Sequence, residues 1–192
     1  MDIMKKANEF AATGSDILHL EVGQPGSSAP EAVIKVAKDV LDQDPIGYTD
    51  AAGFPLLRER LSIYYRDYYG VNIRPERIII TVGSSGAFLL SFLAVFDHGD
   101  KVGLAIPSYP AYKNILTALG VETIGIPVGP ETGFQIDVQA LEELQYDLDG
   151  LIVASPSNPT GSMLSDSRLK EIVGWCNASG VRIISDEIYH GI

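Results

Sequence analysis

Sulfur, positive charge and long apolar runs are all scarce in this sequence. Cys176 is the single cysteine among 192 residues, so no intrachain disulfide and no cysteine-rich zinc site can form, and a reducing cytoplasm is the expected compartment. Fourteen Lys and Arg against 25 Asp and Glu give a net charge of −11. The basic face of a nucleic-acid binder or an anionic-membrane binder is therefore missing, and any anionic ligand must be held locally. Histidine is also sparse: His19, His98 and His190 are scattered and form neither a constellation for histidine catalysis nor a metal motif. The longest near-apolar stretch, Phe88 to Phe96, includes Ser91 and is far too short to span a bilayer. The N-terminus, with Lys5, Lys6, Asn8 and Glu9, has no apolar core of a signal peptide. No 20–50-residue period recurs, which argues against solenoids and arrays.

What is present is globular. Hydrophobic residues make up 46% and charged residues 20%, and the length allows one large domain, or one domain with pieces of a second. Ile3, Met4, Ala7, Phe10 and Ala11 are spaced as on a helix that Gly14 closes, and Ile17 to Val22 reads as a short strand. Pro30 opens a second helix whose apolar face is Val33, Val36, Ala37, Val40 and Leu41. Asp44 to Phe54 reads as an irregular loop, and a third helix follows from Pro55 to about Tyr69. From residue 77 onward, β-branched runs at Arg77–Val82, Lys101–Ile106, Val121–Ile126, Leu151–Ala154 and Val181–Ser185 alternate with helical stretches near Ala87–Phe96, Ala111–Leu119, Asp137–Leu144 and Ser165–Ala178. This alternation predicts an α/β fold with a mainly parallel sheet and helices on both faces.

Ligands of such sheets bind outside the carboxyl ends of the strands. Four strand ends are unusual. After Val82 comes Gly83-Ser84-Ser85-Gly86, where converging N–H groups, hydroxyls and a helix N-terminus suit a phosphate; an ordinary glycine-rich turn fits those residues equally well. After Ile106, Pro107-Ser108-Tyr109-Pro110 presents a stiffened aromatic ring, suited either to stacking on a flat ligand or to packing on its own loop. After Ala154, Ser155-Pro156-Ser157-Asn158-Pro159-Thr160-Gly161 offers an amide donor at Asn158, in what is also a common turn starter. After Ser185, Asp186-Glu187-Ile188-Tyr189 sets a carboxylate at the mouth of a strand. A carboxylate there needs a cation, such as a pyridinium nitrogen, or else acts as a helix N-cap. An anion cradle, a stacking ring, an amide donor and an acidic partner at one sheet edge together complement pyridoxal phosphate.

The ordered set Val22-Gly23-Gln24-Pro25, Tyr48 followed by Gly53 and Leu57-Arg58, Thr81-Val82-Gly83-Ser84-Ser85, Pro107-Ser108-Tyr109, Asn158-Pro159-Thr160-Gly161 and Ser185-Asp186-Glu187-Ile188-Tyr189 resembles the class I/II aminotransferases of pyridoxal-phosphate fold type I. The resemblance covers practically the whole chain. It implies that Gly83, Ser84 and Ser85 hold the cofactor phosphate and that Tyr109 stacks on the ring. It further implies that Asn158 and Tyr189 bond the phenolic oxygen and that Asp186 pairs with the ring nitrogen. Gly23 resembles the glycine whose loop meets the substrate carboxylate. Tyr48 matches a tyrosine that reaches the neighbouring subunit's phosphate, so a homodimer is expected. The activity implied is amino-group transfer from an amino acid to a 2-oxo acid; a pyridoxal-phosphate lyase and a non-catalytic cofactor-sensing domain of a transcription regulator are the alternatives.

The lysine that carries the cofactor in this family lies well downstream of the Asp186 motif, and none of Lys5, Lys6, Lys35, Lys38, Lys101, Lys113 or Lys170 occupies a comparable position. The expectation is therefore a fragment, inactive by itself: residues 1–44 partly from the small domain, and residues 45–192 a partial cofactor-binding large domain. Cys176 shares an apolar stripe with Leu169, Ile172 and Val173 and is expected to be buried. Tyr64, Tyr65, Tyr68 and Tyr69 are spaced for packing.

Overall fold

A computed structural model describes residues 2–23 and 26–191. The chain divides into two compact units, Met1–Thr49 and Asp50–Ile192.

The first unit holds helices α1 (Asp2–Ala12) and α2 (Glu31–Gln43). Gly14 closes α1 at φ +87°, the left-handed conformation expected of a glycine past a helix end. Residues 17–22 do not form the predicted strand. Leu18 and Leu20 are exposed, and no backbone partner builds a ladder with them among the described residues, which a strand requires whatever its propensity. Gln24 and Pro25 of the Val22–Pro25 motif lie outside the described residues.

The second unit carries α3 (Pro55–Tyr69), α4 (Gly83–Val95), β1 (Lys101–Ile106), α5 (Pro110–Ala118), β2 (Glu122–Pro127), α6 (Val138–Glu142), β3 (Gly150–Ala154), α7 (Asp166–Ser179) and β4 (Arg182–Asp186). The four strands pair in parallel in the order β2-β1-β3-β4. Parallel neighbours need crossovers, and α5, α6 and α7 supply them. Alternation along the strands divides the core in two. Val102, Leu104 and Ile152 meet Phe88, Phe92, Tyr112 and Leu116 of α4 and α5. Ile124, Ile126, Leu151 and Val153 meet Leu141, Ile172 and Cys176 of α6 and α7. Helices therefore cover both faces, as the sequence pattern predicts. Cys176 is fully buried and burial pushes its thiol up to about 11, so it remains protonated and unreactive at neutral pH.

Two local expectations need correction. Residues 77–82 are not a sheet strand: Pro75–Arg77 is a 3-10 turn and the following isoleucines run extended, with the Ile80 N–H bonded to the Ala52 carbonyl at 3.0 Å. Helix α4 starts at Gly83, four residues earlier than its hydrophobic periodicity suggests, so Gly83-Ser84-Ser85-Gly86 is the first turn of the helix and not a loop before it.

The chain leaves β1 to one side to make β2, then returns past β1 to make β3 on its other side. The carboxyl ends of β1 and β3 thus flank a topological switch point, where crevices open in sheets of this kind.

Candidate functional site

Three strands deliver their last residues to this end of the sheet. From β1 the chain passes Pro107 and Ser108 to Tyr109, which precedes α5 and is half-buried. One turn into α5, Tyr112 is 1% exposed, and its ring meets Tyr109 at 5.5 Å and Phe88 at 5.1 Å, both edge to face. Phe88 lies one turn after Ser85 on α4, so the Gly83–Gly86 turn belongs to the same aromatic wall. Gly83 enters that helix at φ +75° with its own N–H on the Thr81 carbonyl at 3.0 Å, and no side chain caps the N–H groups that follow it in the first turn.

Asp186, the last residue of β4, is paired in register with Ala154 of β3. One of its carboxylate oxygens accepts the Tyr112 hydroxyl and the other accepts the Ile188 N–H at 3.1 Å. Burial, and then the Asp186 carboxylate it donates to, hold the Tyr112 phenol far above its ordinary range, so Tyr112 is a permanent donor near neutral pH. Among the described residues no cation pairs with Asp186: Arg66 pairs with Asp67, and the His19–Glu21 and His190–Glu187 contacts are ionic only with a protonated imidazole. The loop after β3 places the Asn158 amide 3.5 Å from the Tyr189 hydroxyl, to which it donates. Below these loops, Tyr112, Ser108, Gln135 and Ser157 line a cavity of about 10 Å³, room for one water at most. The floor of the site is closed.

The model of the family "Aminotransferase class I and II" matches residues 15–192. The chain belongs to this family. It is 47% identical over 192 residues to the valine–pyruvate aminotransferase of Mycobacterium tuberculosis, covering 100% of this chain and 50% of that protein. It is 34% identical to the (5-formylfuran-3-yl)methyl phosphate transaminase of Methanocaldococcus jannaschii, covering 100% of this chain and 49% of that protein. A crystal structure of an aminotransferase from Mycobacterium tuberculosis superposes with a TM-score of 0.94 at 47% identity, covering 100% of this chain and 50% of that one. The alanine aminotransferase from Pyrococcus furiosus gives 0.92 at 27% identity, again with 100% and 50% covered. The chain spans about half the length of the curated relatives it matches, and its fold is that of the fold type I aminotransferases.

Within this family member, Tyr109, Asn158, Asp186 and Tyr189 come to one end of one sheet, with Gly83, Ser84 and Ser85 on the adjoining helix. Gly23 and Tyr48 belong to the first unit, where both are exposed. Tyr112 belongs to none of the sequence motifs, and His190, one of three scattered histidines in the sequence, joins the site's surroundings through its ring nitrogens. The His190 Nε2 donates to the Ser155 carbonyl at 3.0 Å, since a carbonyl only accepts, and its Nδ1 accepts the Tyr69 hydroxyl at 3.3 Å. The Tyr69 end of the α3 tyrosine cluster is thereby tied to the loop after β3. The spacing of Tyr112 from Tyr109, one helical turn, is the one sequence signal that could have drawn it in.

Proposed function

We propose that the full-length protein carrying this chain is a pyridoxal-phosphate-dependent aminotransferase that moves an amino group from an amino acid to a 2-oxo acid. The observation that carries the reading is Asp186: a carboxylate at a strand mouth, held by Tyr112 and the Ile188 N–H, with no cation beside it among the described residues. A protonated ring nitrogen is the complementary group. The remaining donors suit the rest of the cofactor: the uncapped first turn of α4 for the phosphate, through Gly83, Ser84 and Ser85, the Tyr109 ring for its face, and Asn158 with Tyr189 for its phenolic oxygen. When bound, pyridoxal phosphate supplies an electron-accepting ring that stabilises the charge left on a substrate carbon losing its proton. Asp186 would hold a proton on the ring nitrogen, and Tyr112 would keep that carboxylate aimed. Asn158 and Tyr189 would donate to the phenolic oxygen and fix its orientation. Residues 1–44 would contribute partly to a small domain and residues 45–192 to the cofactor-binding large domain. Gly23 would meet the substrate carboxylate, and Tyr48 would reach the phosphate of a second subunit in a homodimer.

The name of the 47%-identical relative makes valine and pyruvate the first pair to assay. Full-length protein supplied with both should form alanine and the 2-oxo acid of valine in equal amounts. If a panel of amino acids and 2-oxo acids yields only ammonia or elimination products, the transfer reading fails and a lyase replaces it.

A further inference from the structure

We propose that Gln135 is a positioning residue that closes the base of the Asn158 loop and so sets where the Asn158 amide stands. The inference rests on the reading of Asn158 as a cofactor contact. Gln135 lies in the connection after β2 and is 5% exposed. Its side-chain nitrogen donates to the Ala154 carbonyl at 3.1 Å, the Ser162 carbonyl at 2.9 Å and the Ser162 hydroxyl at 3.2 Å. Ala154 is the last residue of β3 and Ser162 follows Gly161, so one buried amide grips both ends of the Ser155–Gly161 loop. Carbonyl oxygens only accept, so the amide orientation is settled by its partners: an oxygen in place of the nitrogen would face two other acceptors.

Other bonds fix the strand side of the loop: the Ser155 N–H donates to the Asp186 carbonyl at 3.2 Å, its carbonyl accepts from His190, and its hydroxyl accepts the Leu164 N–H at 3.0 Å. Gln135 is the buried side chain that bonds to both ends at once. Inside the loop, Ser157 donates to the Ser162 carbonyl at 2.9 Å and Gly161 to the Ser157 carbonyl at 2.7 Å. The Ser162 hydroxyl turns back to the Phe134 carbonyl at 3.2 Å. Phe134 sits at φ +57°, an uncommon conformation for an aromatic residue, with its N–H on the Gly129 carbonyl at 2.7 Å. Such a backbone persists where its surroundings over-determine it, and it brings Gln135 inward directly after the turn. The turn and the loop thus brace each other through Gln135 and Ser162.

Gln135→Glu is the informative variant, because it keeps the shape and, when ionised, removes both donors. Gln135→Met, which keeps the volume without any donor, guards against effects specific to a buried charge. Amide hydrogen exchange is measured on the full-length apo protein, and pyridoxal phosphate affinity by equilibrium titration of both variants and of Asn158→Ala. In both Gln135 variants the Ser157 and Gly161 amides should exchange about tenfold faster while β1 amides stay protected, and cofactor affinity should fall about tenfold, comparably to Asn158→Ala. Partial protonation should restore loop protection to Gln135→Glu at low pH and leave Gln135→Met unchanged, which a mere packing role would not do. Unchanged loop exchange overturns the proposal. So does faster exchange with full cofactor affinity when Asn158→Ala has lost it. Faster exchange with full affinity in all three variants upholds the clamp and overturns the cofactor reading of Asn158.

Discussion

Tyr112 and Asp186 stand 74 positions apart in the chain and meet through a buried hydroxyl that donates to a carboxylate. A hydrogen bond to a charged acceptor contributes about 1.5–3 kcal/mol, and Asp186 keeps its Ile188 N–H partner without it. Tyr112→Phe should therefore destabilise the full-length protein by about 1–2 kcal/mol in urea unfolding at neutral pH. The pH dependence has a definite sign. Folding raises the phenol above the roughly 10 of a free tyrosine, so its contribution is complete below that value and is lost as pH rises toward the folded value. The stability gap between the parent and Tyr112→Phe should be flat from about pH 6 to 9 and narrow above about pH 10. A gap that widens in alkali would mean that Tyr112 is not the donor. Asp186 was legible because it follows a β-branched run directly, and Asn158 because it stands in the Pro- and Gly-punctuated loop that follows another. Tyr112 and Gln135 were not, since a tyrosine in a first helical turn and a glutamine shortly after the 3-10 turn Pro130–Thr132 carry no local sign of distant partners.

Elements were legible where one periodicity and one partner coincided. β1 has the bounds its composition implies, α3 likewise; β2 and β4 shift by one residue, and β3 begins one residue earlier. Residues 17–22 and 77–82 have the same β-branched character without a ladder, because pairing is a tertiary event that composition does not encode. The packing of the strands can be probed at two glycines. A Cβ on Gly150, at the start of β3, would lie 2.2 Å from the Phe96 ring, so Gly150→Ala should cost about 1–3 kcal/mol as the ring is displaced. Gly174, on the exposed face of α7, has no atom within 4 Å of a built Cβ; Gly174→Ala should add about 0.5–1 kcal/mol by restricting the unfolded chain. Denaturant midpoints moving in opposite directions would meet both expectations, and a neutral Gly150→Ala would show that Phe96 yields without penalty.

At the scale of the whole molecule, the assembly proposal turns on Tyr48. If its hydroxyl reaches the phosphate in a second subunit, Tyr48→Phe should weaken cofactor binding by one to two decades, about 1.5–3 kcal/mol, and leave each subunit folded. Mixed dimers make the sharper test. Combining Tyr48→Phe subunits with Asp186→Asn subunits should produce hybrids in which one site carries both defects and the other carries neither, so part of the activity returns. Confirmed subunit exchange with no recovery would place Tyr48 within its own subunit's affairs and remove the main sequence support for shared sites.

The separation between strand middles and strand ends has an evolutionary consequence. Side chains that fill the two clusters hang from the interior of the strands, whereas Tyr109, Asn158 and Asp186 follow or end them. Loop residues can then be exchanged without disturbing the apolar layers, and the layers can drift without moving the strand ends. A scaffold organised in this way lets specificity diverge under selection while its frame is inherited nearly intact, as the TM-score of 0.92 at 27% identity illustrates.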